Sequence, residues 1–191
     1  LRTGPVVPVF VWSPEDEGDW PPGAASRWWL HHSLTALARD LKAHGSKLII
    51  RRGRAVEVLP ALAREVGADI VHYCRRYEPA AIACERRVES ALRKEQIACA
   101  SFNAALIHEP DDVQTKSGKT YRVFTPYSKT CFARPAPDAP AHVPRKWKGL
   151  SHPPPGDAID DLELLPRRNW ADEFPEHWTP GEAGAHTALR R

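Results

Sequence analysis

The sequence predicts an α/β fold: a parallel sheet with helices on both faces, followed by a long proline-rich connector. Three observations carry this. Short continuous apolar runs recur along the first hundred residues, as expected of strands buried on both faces. Between them the apolar period changes to that of an amphipathic helix. Beyond Ala133 the regular alternation stops, and more than half of the 19 prolines lie between Arg134 and Pro180.

In chain order, Val6–Trp12 reads as the first strand and Ser13-Pro14-Glu15-Asp16-Glu17-Gly18 as its end. Leu30, Leu34, Leu37 and Leu41 then mark one helical face, with Ser26 as the expected cap and Gly45 as the stop. Lys47–Arg51 reads as a second strand. The helix after it turns Val58, Leu59, Leu62 and Val66 inward and closes at Gly67. Asp69–Tyr73 is the third strand, 80–94 the next helix, and Ile97–Phe102 the fourth strand. Such βαβ repetition calls for right-handed crossovers. Thr115–Thr120 reads as a tight turn, and Thr125-Pro126 as cap and first residue of a short helix. In the connector, Trp147, Leu164, Leu165, Trp170, Phe174 and Trp178 read as apolar anchors against a larger body. Thr179-Pro180-Gly181-Glu182 has the form of a capping box that opens another helix.

At 191 residues the chain suits one domain plus an appendage. It has no apolar run of membrane-spanning length. A net charge of +3 is too mild to imply nucleic-acid binding by bulk electrostatics. Cys74, Cys84, Cys99 and Cys131 form no C-x-x-C pair and no metal spacing with histidine, so no metal site is expected. Free thiols without an export signal imply a cytoplasmic setting.

Ligands of open α/β sheets bind at the carboxyl ends of the strands. Here those ends are Trp12-Ser13, Arg51-Arg52-Gly53, Cys74 through Glu78, and Asn103. Rings, guanidiniums and a carboxylate suit a flat heteroaromatic ligand with polar edges; ordinary loop residues are the plainer reading. Arg27, near a helix N-terminus, either meets an anion there or points into water. No glycine-rich phosphate loop, no nucleophile elbow and no nucleophile–base pair is present, so no catalytic residue is assigned. His31-His32 and Trp28-Trp29 read as packing or solvent-facing residues.

Several segments resemble the DNA photolyase/cryptochrome family in order and spacing. They are Val9-Phe10-Val11-Trp12-Ser13-Pro14, Ser26-Arg27-Trp28-Trp29-Leu30 and Gly45-Ser46-Lys47-Leu48 with Arg52-Gly53. After them come Tyr77-Glu78-Pro79 with Glu85-Arg86-Arg87-Val88, then Tyr121-Arg122-Val123-Phe124-Thr125-Pro126-Tyr127, and Thr179-Pro180-Gly181-Glu182-Ala183. The resemblance implies a Rossmann-like antenna domain over 1–133 lacking the family's first strand. It further implies an interdomain linker over 134–178 and, over 179–191, the start of a helical flavin domain.

By the same resemblance, Trp12, Ser13, Arg27, Arg52, Cys74, Tyr77 and Glu78 border an antenna-pigment pocket. The expected pigment is deazaflavin or FMN rather than methenyl-folate, because Ala80 and Ala81 stand where folate-binding members carry an Asn-Glu pair. FAD belongs to the full-length protein, whose implied activity is light-driven splitting of pyrimidine dimers, with damaged DNA as partner. A cryptochrome blue-light receptor fragment is the near alternative. A stand-alone nucleotide- or flavin-binding α/β module is the alternative from another class.

Overall fold

Val9–Trp12 forms β1, shorter than the apolar run suggests. Pro8 has no N–H to give, and the Val6 N–H is taken by the Lys148 carbonyl at 2.8 Å. The other strands are β2 (Ile49–Arg52), β3 (Ile70–Cys74) and β4 (Ala98–Phe102). Between them lie helices α1 (Ala24–Ala43), α2 (Ala55–Val66) and α3 (Pro79–Lys94). Three further helices follow: α4 (Phe124–Ala133), α5 (Phe174–His177) and α6 (Glu182–Leu189). This computed structural model describes residues 4–136, 139, 142, 147–168 and 170–190.

The strands form two parallel pairs, β1 with β2 and β3 with β4, rather than one continuous sheet. One core joins Leu34 and Leu41 of α1 to Leu48 and Ile50, with Phe10 and Trp12 packed against it. A second joins Ala63 of α2 to Cys84, Val88 and Leu92 of α3 and to Ile97. Helix α1 therefore serves one core while α2 and α3, which pack on each other, serve the other. Right-handed crossovers then place β2 and β1 on one side, β3 and β4 on the other, with the change of direction between β1 and β3.

Helix ends depart from the expected caps. Helix α1 begins at Ala24 behind Gly23, so Ser26 lies inside the first turn and caps nothing. Helix α4 begins at Phe124 behind Val123, with Thr125-Pro126 inside it. Gly181, at φ 97°, precedes α6, leaving Thr179 outside. Only glycine takes that backbone readily, so Gly181 sets the entry and the Thr179 hydroxyl loses its reach. The glycine stops do hold: Gly45 and Gly67 adopt φ 80° and 63°. Within α1, Leu34 and Leu41 are buried but Leu37 is exposed, and Trp28 is buried instead.

The connector accounts for Trp28. Phe174 of α5 meets its ring edge-on with centroids 5.1 Å apart, and Trp178 meets Trp29 at 6.1 Å. Leu162 and Leu164 enter the first core, and Trp147 packs against it. The Asp157 N–H donates to the Ile50 carbonyl at 3.0 Å, so the connector lies along the outer edge of β2. Leu165, Trp170 and Trp178, by contrast, remain largely exposed.

Candidate ligand site at the strand ends

The loop after β1 is built around Asp16, which is 4% exposed. Its carboxylate accepts from the Ser13 hydroxyl at 2.6 Å and from the Ala55 N–H, at the start of α2, at 2.9 Å. The guanidiniums of Arg87 and Arg54 stand 3.4 and 3.7 Å away. Burial pushes the Asp16 pKa upward. The hydrogen bonds from Ser13, Ala55 and Cys84, together with the Arg54 charge, outweigh it, so the group sits below its ordinary value. An ionised Asp16 thus ties the end of β1 to α2 and α3.

The loop after β3 is held by a second network. Arg76 bridges to Glu17 at 2.7 Å, joining the ends of β1 and β3. The Tyr77 hydroxyl donates to the Glu109 carboxylate, 2.9 Å from both oxygens, and Arg75 pairs with that carboxylate at 3.1 Å. Desolvation, then the Glu109 carboxylate, raises the Tyr77 pKa. Gly18 faces Ala80, where a Cβ would meet the alanine Cβ at 3.2 Å.

The expected site residues are distributed over this surface unevenly. Ser13 is buried against Asp16, and Tyr77 is tied to Glu109. The Glu78 carboxylate accepts from the Tyr77 N–H at 3.1 Å. Trp12 packs its ring on the first core. Arg52 donates to the Asp161 carbonyl of the connector at 2.7 Å. Cys74 is an exposed free thiol, and Arg27 is exposed on the first turn of α1. Ser13, Tyr77 and Glu78 thus belong to the two loops bridged by Glu17 and Arg76.

Asp16, Glu17 and Glu109 were not expected from the sequence, whereas Arg75 fell within the strand-end stretch Cys74 through Glu78. The Ser13–Asp16 spacing of three was the one legible signal, since such pairs bond locally. Glu109, in the loop after β4, reaches the site through its bonds to Tyr77 and Arg75. Among the described residues, two of the cavities lie elsewhere. One, of about 240 Å³, is lined by Val6, Lys42, Ser46 and Leu150; the other, of about 220 Å³, by Trp28, His32, Leu165 and Pro175. Among the described residues no group of side chains could hold a metal ion, and no helix is long and apolar enough to cross a membrane.

Residues 2–145 match the family model described as DNA photolyase. The chain is 39% identical over 183 residues to a deoxyribodipyrimidine photo-lyase of Agrobacterium fabrum, covering 95% of this chain and 38% of that protein. It is 35% identical over 148 residues to cryptochrome-1 of Arabidopsis thaliana, covering 76% of this chain and 22% of that one. Among solved structures, a bacterial class III photolyase from Agrobacterium tumefaciens superposes with a TM-score of 0.90 at 38% identity, over 98% of this chain and 38% of that one. The archaeal photolyase of Sulfolobus tokodaii shares the fold at a TM-score of 0.68 and 17% identity, over 97% of this chain and 39% of that one.

Proposed function

This chain belongs to the DNA photolyase family, and from that premise we propose that it is the antenna-pigment half of a light-driven DNA-repair enzyme. The observation that carries the reading is the convergence of the loops after β1 and β3, joined by the 2.7 Å Glu17–Arg76 bridge, where the winding of the sheet changes direction. An open α/β sheet offers a ligand its deepest crevice there. Family members bind a light-harvesting cofactor and FAD. The chain spans 38% of the Agrobacterium photolyase, so the FAD site, damaged DNA and the dimer-splitting step are assigned to a helical domain outside these residues.

The pocket is assigned to Trp12, Ser13, Arg27, Arg52, Cys74, Tyr77 and Glu78. Tyr77 and Trp12 supply ring contact, and Arg27 supplies charge to an anionic edge. Arg52 already holds a connector carbonyl, so it acts at the pocket through the connector's position. The preferred pigment is deazaflavin or FMN. Ala81 is 2% exposed and Ala80 is pressed against Gly18, so neither position offers a polar group to a folate. Fluorescence titration of the chain with the three pigments tests this. FMN or deazaflavin should bind more tightly than methenyl-folate, and Tyr77→Phe should weaken that binding. Folate binding tighter than either, or binding indifferent to Tyr77 and Trp12, rejects the assignment. The chain itself should hold no FAD tightly and repair no dimers under blue light.

The 35% identity to cryptochrome-1 favours a second reading, the same half of a blue-light receptor. Dimer repair by a protein carrying this chain together with a helical flavin domain separates the two.

A further inference from the structure

Two histidines outside the assigned pocket stand where α1 meets the connector. The rings of His31 and His32 touch, with centroids 5.1 Å apart. The His32 ring also lies on Trp28, which is buried, with centroids 4.3 Å apart. Phe174 meets the same indole edge-on at 5.1 Å, and Trp170 stands against Phe174 at 5.5 Å. Trp178 ends the row on Trp29 at 6.1 Å. Ring contacts thus hold the connector over 170–178 to α1, and His32 touches the indole on which they centre.

His32 also borders the cavity of about 220 Å³ that Leu165, Pro166, Ala171, Asp172 and Pro175 help to line. Two connector carboxylates face the histidine pair. Asp172 borders the same cavity, and the Asp160 Oδ1 stands 3.9 Å from His31 Nε2. His31 Nδ1 is buried without a partner among the described residues. Arg27, one turn before His31, is exposed, as are Arg167, Arg168, Glu173, Glu176 and His177 along the connector. An indole face attracts a cation, yet loss of water opposes the charge more strongly here. Burial first, and then the neighbouring His31, hold His32 below the ordinary histidine pKa.

We propose that His32 is a proton-operated latch: when it takes up a proton, the 170–178 segment lifts from α1, while the connector stays anchored by Leu162 and Leu164. Those two leucines lie in the first core and carry no part of the ring contacts. Docked, the imidazolium would be shut in by an indole, the His31 ring and the apolar wall of Leu165 and Pro166. Lifted, it regains water, and a buried charge is costly without it. The lifted segment leaves His32 near its ordinary value, about 6.5, and the docked one holds it lower. Docking is therefore at full strength above about pH 6.5, weakens as pH falls from there to the lower docked value, and levels off below it. The inference is independent of the pigment assignment.

The test is amide exchange in the full chain from about pH 8 to about pH 5, corrected for the intrinsic pH dependence of exchange. The Phe174 and Trp178 amides donate to the Ala171 and Phe174 carbonyls. Their protection should fall by about threefold or more across that range. The Asp157 and Leu162 amides, held at β2 and in the first core, should keep theirs. The midpoint of the loss should coincide with the titration of the His32 ring protons followed by NMR, and His32→Gln should abolish the pH dependence. Indifference of the Phe174 and Trp178 amides to pH overturns the proposal, as does a loss that survives His32→Gln. An equal loss at Asp157 and Leu162 overturns it too, since the whole connector would then be responding. In the unaltered chain, a midpoint that departs from the His32 titration overturns it whatever the variant does.

Discussion

At the scale of single residues, Asp16 is the group on which the two halves of the fold meet. Its folded-state pKa is depressed, so its contribution to stability is present above the unfolded carboxylate pKa, about 3.9. That contribution is lost as pH falls through the lower folded value. Asp16→Asn should therefore cost about 1–3 kcal/mol at neutral pH, since the Ser13 hydroxyl, the Ala55 N–H and two guanidiniums lose a charged acceptor. Denaturant midpoints measured from pH 7 down to pH 2 should converge for the two proteins at the acid end. Parallel curves would mean that the Asp16 pKa is the same in the folded and unfolded states. Glu109 offers a second test at this scale. Glu109→Gln should bring the Tyr77 phenol back toward its ordinary pKa, read as a tyrosinate absorbance step that Tyr77→Phe removes.

Elements in this chain are specified mainly by their apolar faces, and their ends by backbone geometry. Ser26, Thr125 and Thr179 are all good capping residue types, yet helices start at Ala24, Phe124 and Glu182. Capping is worth only about 1 kcal/mol, and docking of the preceding loop outweighs it. The connector shows the same priority. Leu164→Ala should destabilise the whole chain by about 2–5 kcal/mol, as for any buried leucine, measured as a single shift of the chemical denaturation midpoint. A local loss at the connector alone, seen by proteolysis with the midpoint unmoved, would make it a loose strap. Gly156→Ala should have a related effect, because a Cβ there would stand 3.1 Å from the Ile50 carbonyl oxygen where the connector bonds to β2.

At the scale of the molecule, two small cores share one chain. Each serves a two-stranded pair, and such pairs are marginal unless other elements cover them. The surface also carries large apolar side chains: Phe132 is 90%, Trp20 89%, Phe124 78% and Ile107 74% exposed. These observations predict dye binding and concentration-dependent association for the isolated chain. They also predict unequal exchange protection between the β1–β2 and β3–β4 halves. A monodisperse monomer that unfolds sharply and reversibly, without binding ANS, would contradict this. The strand pattern was legible because buried parallel strands are continuous apolar runs. Nothing local in Val9–Trp12 or Ile70–Cys74 records the split between pairs; only the resemblance, by which the family's first strand is lacking, was a reason to expect an interrupted sheet. Of the site, Tyr77, Glu78 and Ser13 were legible as strand-end residues. Glu109 was not, being 32 residues from Tyr77 along the chain.

The sequence by itself determined the order of strands and helices, the two core faces and the glycine stops at Gly45 and Gly67, because periodicity and left-handed backbone are local properties. It also carried the family resemblance, because motif order survives in a single chain. The tertiary structure alone decided that Arg52 would hold the connector rather than stand free. It likewise buried Trp28 under Phe174 and assembled the networks of Asp16 and Glu109. Each of these depends on contacts between segments tens of residues apart. Burial and hydrogen bonding act on such contacts only after the chain has closed its loops, and no local pattern encodes them.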